Sequence, residues 1–199
     1  MDFYKPEIEY KNKVYYVYPS FISRPSKDLM IRGKTFYAVW DEKKQLWSTD
    51  IYDLIELVDK DLESYVKELR KQEQYKDAPI IIRYMSDHKT HVLKDFMEYV
   101  KLLPDKFKPL DNKIVFQNME TCKEDYVSRK LKYPLEEGDT SAWDELVSKL
   151  YSPSEKEKIE WAIGSLVTGD SKFIQKFFLF YGDPGTGNPQ QPAHVVLGA

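Results

Sequence analysis

The chain has 199 residues, of which 42% are hydrophobic and 32% charged, a mixture that excludes disorder over most of its length and accommodates one large or two small domains. A net charge of -3 excludes a surface that attracts nucleic acid throughout, leaving room for a local basic face. Cys122 is the only cysteine, which excludes an intrachain disulfide and a cysteine-rich zinc site and suits a reducing cytoplasm. The charged N-terminus lacks the apolar run of a signal peptide, and nowhere do about eighteen apolar residues follow one another, so no membrane span is expected.

In chain order, Val14 to Trp47 is aromatic and β-branched in short runs interrupted by Pro19, Pro25, Gly33 and the charged Asp41-Glu42-Lys43-Lys44 turn, which predicts one small antiparallel sheet. Its clearest hairpin pairs Thr35–Trp40 with Gln45–Trp47. Ser48, Thr49 and Asp50 are candidate caps for a long helix running to about Gln72, because Ile51, Leu54, Ile55, Val58, Leu62, Val66 and Leu69 follow at helical spacing. Pro79–Tyr84 reads as a buried strand and His91–Leu103 as a helix stopped by Pro104. These elements define an α+β N-terminal accessory domain over residues 1–108.

Beyond a Lys106–Asn112 linker, Ile114–Phe116 predicts a short strand and Leu131–Pro134 an extended piece. Ala142–Leu150 and Glu155–Val167 predict two helices, with Trp143 and Trp161 as packing residues, and Phe177–Tyr181 is a wholly apolar strand. This second region spans 109–187. The last twelve residues, 188–199, carry two prolines, two glutamines and no helical period, and are expected to form an aberrant, disordered tail.

The strand Phe177–Tyr181 runs directly into Gly182, Asp183, Pro184, Gly185, Thr186 and Gly187, which match the first six positions of the phosphate-binding loop G-x-x-x-x-G-K-S/T. In such a loop, glycines let successive backbone N–H groups converge on phosphate oxygens at the start of a helix. A lysine and a hydroxyl residue complete it, one meeting the phosphates and the other holding magnesium. Here those positions are Asn188 and Pro189, an amide without charge and a ring without a hydroxyl or N–H. The loop is therefore expected to be degenerate, and the chain to be ATPase-dead. Asn188-Pro189-Gln190-Gln191 can be encoded AAT-CCA-CAA-CAA, and restoring one A gives the codons for Lys-Ser-Thr-Thr. We hypothesise a one-base deletion at codon 188; nucleotide sequence without a recoverable frame there removes the idea.

The run Ile114–Asn118, Leu131–Pro134, Trp143–Leu146, Trp161–Gly164, Thr168–Asp170 and Ile174–Gly182 resembles, in order and over about seventy-five residues, the approach to the ATPase core of phage and poxvirus-type primase-helicases of superfamily 3. The resemblance implies the N-terminal part of a phage replicative helicase/primase cut inside its phosphate loop. It implies a helical lead-in followed by the first strand and loop of a truncated α/β ATPase core. For the intact family it implies ATP and magnesium, DNA as partner, a homo-hexamer and the cytoplasm of a bacterial host, with this chain a monomer. The rival expectation is a non-enzymatic adaptor or inhibitor that binds DNA or the helicase.

Other signals are weaker. Lys123, Arg129, Lys130 and Lys132, interleaved with Tyr126 and Tyr133, form a candidate DNA-contacting strip diluted by Glu124 and Asp125. His88 and His91 stand at metal-ligand spacing but read more simply as a solvated helix start, and Asp50, Asp53 and Glu56 as acids complementing a helix dipole rather than a magnesium site. Neither a metal site nor a catalytic residue is assigned. Tyr15, Tyr16, Tyr18, Phe36, Tyr37, Trp40 and Trp47 are expected in the sheet core, with a base-stacking platform as the minor reading.

Overall fold

A computed structural model describes residues 1–168, 174, 177–181 and 194–198, the last two segments as backbone. The chain is α+β, with small sheets and four helices among the described residues, and divides into two compact units. The first comprises Met1–Leu110 with Thr121–Ser128, and the second Asp111–Glu120 with Arg129–Ala199.

In the first unit, β1 (Tyr4–Lys11) and β2 (Val14–Phe21) form an antiparallel hairpin, followed by β3 (Leu29–Arg32), β4 (Thr35–Asp41), β5 (Leu46–Ser48), α1 (Ile51–Leu69), β6 (Ile80–Ile82) and α2 (Val92–Leu102). The sequence predicts one sheet here; there are two, ordered β1-β2-β6 and β3-β4-β5. Strand β1 is absent from the sequence reading although Tyr4, Ile8 and Tyr10 alternate with charged residues as a strand requires; Pro6 is the residue that masks that signal. Proline is tolerated there because β1 is an edge strand. The two-residue loops Asn12-Lys13 and Gly33-Lys34 have positive φ at both positions, the turn whose twist matches the flanking strands. Strand β6 pairs with β2 in parallel, and its Ile81 is 49% exposed, so the expected buried strand is instead a half-covered edge.

Leu54, Val58 and Leu62 of α1 and Phe96 and Val100 of α2 are wholly buried against Tyr4, Val17, Leu29, Ile31 and Val39 from both sheets. Each such side chain stabilises the unit by about 1.5–3 kcal/mol. Along β3 and from Ala38 to Trp40 of β4 the side chains alternate, so that Leu29, Ile31 and Val39 enter this core while Met30, Ala38 and Trp40 join Trp47 in a smaller one on the opposite face. Tyr37, Leu110 and Tyr126 pack on that smaller cluster. Asp59, on the buried side of α1, accepts the Met85 and Ser86 N–H groups at 2.6 and 3.1 Å, which closes the turn after β6.

In the second unit, α3 (Ser141–Leu150) and α4 (Pro153–Thr168) lie together. Ser152 and Glu155 exchange bonds at the start of α4, with Pro153 in its first turn, where a missing N–H is harmless. An ion pair joins Lys156 to Asp144, and Trp143 Nε1 donates to Glu160 at 3.3 Å. Trp143 and Trp161, expected as packing residues, are 37% and 44% exposed. Ile114–Phe116 is not a strand: Leu131 N–H to Val115 O and Gln117 N–H to Tyr133 O are two bonds without a continuing ladder. The Asn118 amide, bonded both ways to the Leu135 backbone at 2.9 Å, ties the same two segments. Phe177–Tyr181 forms β7, which pairs antiparallel with β8 (His194–Gly198).

Candidate functional site

The apolar β7 ends at Tyr181, immediately before the glycine run. Gly182, Asp183, Pro184, Gly185, Thr186, Gly187 and Asn188 lie outside the described residues. Of the tail expected to be disordered, His194–Gly198 is β8, where Val195, Val196 and Leu197 favour a pleated strand, and its other residues lie outside the described ones. A phosphate loop is followed by a helix, whereas residues 194–198 are strand, antiparallel to β7. The chemistry of the donor set fits Mg-ATP poorly as well, with Asn188 and Pro189 at the cationic and metal-holding positions. No catalytic step is derived through either group.

The expected basic strip is divided between units. Lys123 and Tyr126 belong to the first, and Arg129, Lys130, Lys132 and Tyr133 to the second. Lys123 is bound to Asp28; burial disfavours its ammonium, but the Asp28 hydrogen bond and charge outweigh that and raise its pKa above the ordinary value. Arg129 stands 3.9 Å from Asp111, Lys130 donates to Met119 O at 2.6 Å, and Lys132 is exposed.

What the first unit does assemble is a cavity of about 470 Å³ on the side of its smaller core, within the size range of small-ligand sites. Met30 of β3 and Trp47 of β5 form its floor. One wall is Asp105–Lys108, laid along β3 by reciprocal Ile31–Lys106 backbone bonds of 2.8 and 2.9 Å. The other is the 3₁₀ turn Lys123–Asp125 with Tyr126, fixed by Trp47 Nε1 to Lys123 O at 2.9 Å and by Trp47 N–H to Val127 O at 2.8 Å.

Charge and aromatic surface meet in this cavity. Lys27, Lys106, Lys108 and Lys123 line it against two acids, Asp105 and Glu124. Lys106 Nζ donates to Ser26 O at 2.7 Å, while Lys27 and Lys108 have no side-chain partner among the described residues. The Asp105 carboxylate accepts the Lys34 and Gly33 N–H groups at 3.0 and 2.7 Å, and those two bonds hold its pKa below the ordinary value. Phe107, 39% exposed, is steadied by the Arg32 guanidinium 4.9 Å from its ring centre and by Tyr37 edge-on at 5.6 Å. Tyr126 has φ 52, a left-handed conformation that costs a non-glycine residue about 1–2 kcal/mol.

Sequence reading misses Lys106, Phe107 and Lys108 as site residues because Lys106–Asn112 reads as a linker, and the interleaved Lys-Phe-Lys is the signal that could have found them; Lys27 carries no such local signal. The smaller signals have local roles. Asp50 caps α1 by accepting Tyr52 N–H at 2.8 Å, Asp53 accepts Ser48 Oγ at 2.7 Å, and Glu56 pairs with Lys60. A cleft of about 380 Å³ beside them is lined by Asp41, Glu42, Asp53, Glu56 and Asp61 interspersed with Lys43, Lys44 and Lys60. Its Lys44 bridges Asp41 and Asp53 at 3.6 and 3.7 Å. His88 and His91 are exposed, and His91 is the residue before α2, with φ 61. Among the described residues no three His, Cys, Asp or Glu side chains are grouped to hold a metal, and no helix is long and apolar enough to cross a membrane.

Comparison with known proteins finds no matching family model, no matching curated protein and no matching solved structure.

Proposed function

We propose that this chain is the leading part of a superfamily 3-type replicative helicase/primase of phage character, unable to turn ATP over, and that contact with DNA is its remaining activity. The observation that carries the reading is β7: an apolar strand ends at Tyr181, immediately before the sequence Gly182–Gly187, which supplies the strand that precedes a phosphate-binding loop. The ATPase-dead part rests on Asn188 and Pro189.

Binding of a fluorescent ATP analogue with magnesium tests this reading. The natural chain is expected to bind weakly and to hydrolyse nothing. The double variant Asn188→Lys, Pro189→Ser binds at least about tenfold more tightly, because a cation and a metal-holding hydroxyl rejoin the glycine cradle. Equal affinity of the two proteins removes the phosphate-loop ancestry. A second reading, a non-enzymatic binding module, is favoured by the basic and aromatic cavity of the first unit, which uses no part of the glycine run.

A further inference from the structure

We propose that the cavity bounded by β3, Asp105–Lys108 and Lys123–Tyr126 is a binding site for an unpaired nucleobase together with its phosphate. The proposal deepens the DNA-contact part of the reading above, but its geometry belongs to the first unit alone. It is indifferent to whether Gly182–Gly187 ever held ATP.

Three observations converge on that chemistry. The first is shape: a cavity of about 470 Å³ with an apolar floor of Met30 and Trp47 admits a flat heterocycle. The second is aromatic surface at the mouth. Phe107 is held by Arg32 and Tyr37 yet is 39% exposed, and a ring fixed in position without being buried is suited to stacking on a base. Tyr126 lines the opposite wall in a left-handed conformation, and strain of that kind gathers where a side chain must be aimed.

The third observation is charge. On a chain of net charge -3, four lysines face two acids in this cavity. Asp105 is occupied by backbone N–H groups, and Asp28, behind Lys123, offsets one of the cations. Lys27 and Lys108 remain as ammonium groups without a side-chain partner among the described residues. A phosphate attached to a stacked base satisfies both the rings and these two cations. An acidic peptide satisfies only the lysines.

The test is binding of a fluorescently labelled oligothymidylate of about 12 nucleotides to the full chain, followed by anisotropy across a salt series. Thymidine monophosphate and polyglutamate serve as unlabelled competitors. The oligonucleotide is expected to bind, and Phe107→Ala to weaken it about tenfold with Phe107→Tyr retaining most of the affinity. Lys27→Glu with Lys108→Glu is expected to weaken it comparably and to flatten the log–log salt slope by about 0.7 for each phosphate that is no longer neutralised. Those two lysines are exposed, so the double variant keeps its melting temperature. Competition by the mononucleotide assigns the site to free nucleotides, and its failure assigns the site to a strand; both retain the base-plus-phosphate chemistry.

Polyglutamate competing as well as the oligonucleotide overturns the proposal, because charge alone then accounts for binding. Unchanged affinity in the cavity variants, with weakened binding in Lys132→Glu, also overturns it while leaving DNA contact by the second unit intact. No binding of either nucleotide probe sinks both the cavity and the DNA-contact claim, whereas the phosphate-loop ancestry stands or falls separately on the Mg-ATP measurement.

Discussion

Asp59 and Tyr99 sit in the same core with opposite polar accounts. Asp59 is 9% exposed and its carboxylate accepts two backbone N–H groups, so truncating it leaves both donors without their partner in the turn after β6. Asp59→Ala is expected to lower stability by about 1–3 kcal/mol, read as a lower urea midpoint with an unchanged slope. The Tyr99 hydroxyl is buried with no hydrogen-bond partner among the described residues, and burial pushes its phenol up to about 12. Tyr99→Phe removes that desolvated hydroxyl while keeping the ring stacked 5.3 Å from Phe21. It is expected to leave the melting temperature equal or higher; a fall shows that the hydroxyl has a partner. Both residues lie on the buried faces of their helices, and the fold shows which of them is satisfied.

At the scale of elements, the entry to β1 is fastened by a carboxylate. Asp2 accepts Ser26 Oγ and Lys27 N–H, and its own N–H donates to Asp28 at 2.9 Å, joining the N-terminus to the β2–β3 connection. Burial raises the Asp2 pKa, but the bonds from Ser26, Lys27 and Asp28 together with the charge of Lys123 exceed that, so its folded pKa lies below the ordinary 3.8. A depressed folded pKa means that the stabilisation is complete above the unfolded value and is lost as pH falls through the folded one. Urea midpoints measured downward from about pH 5 are therefore expected to drop more steeply below about pH 4 for the natural chain than for Asp2→Asn. Parallel curves would show that Asp2 contributes nothing. The two-residue turns Asn12-Lys13 and Gly33-Lys34 are only partly legible, since Gly33 signals a turn whereas Lys13 and Lys34 adopt positive φ under the pull of strand pairing.

On the scale of the whole molecule, the first unit is discontinuous: Thr121–Ser128 returns to it after a ten-residue excursion through Asp111–Glu120. The returning segment brings Val127, 1% exposed, and Lys123 paired with Asp28. It also brings the two bonds to Trp47 and that from Thr121 Oγ1 to Gln45 O. A chain ending at Ser128 is expected to melt as one cooperative unit. A chain ending at Leu110 is expected to lose at least about 2 kcal/mol, and its Trp47 emission to shift to the red as that ring meets water. Identical melting of the two would refute the assignment of 121–128 to this unit.

Helical spacing and strand-forming residues by themselves determined α1, α2, the β4–β5 hairpin, the paired helices α3 and α4, and β7, because those signals are local and recur within one element. Tertiary structure alone decided that the strands split into two sheets, that β6 joins β2 in parallel, that β8 returns against β7, and that Lys27, Phe107, Lys108 and Tyr126 surround one cavity. Each of these brings together residues distant along the chain, and no periodicity within a single segment records which distant partner its backbone and side chains will meet.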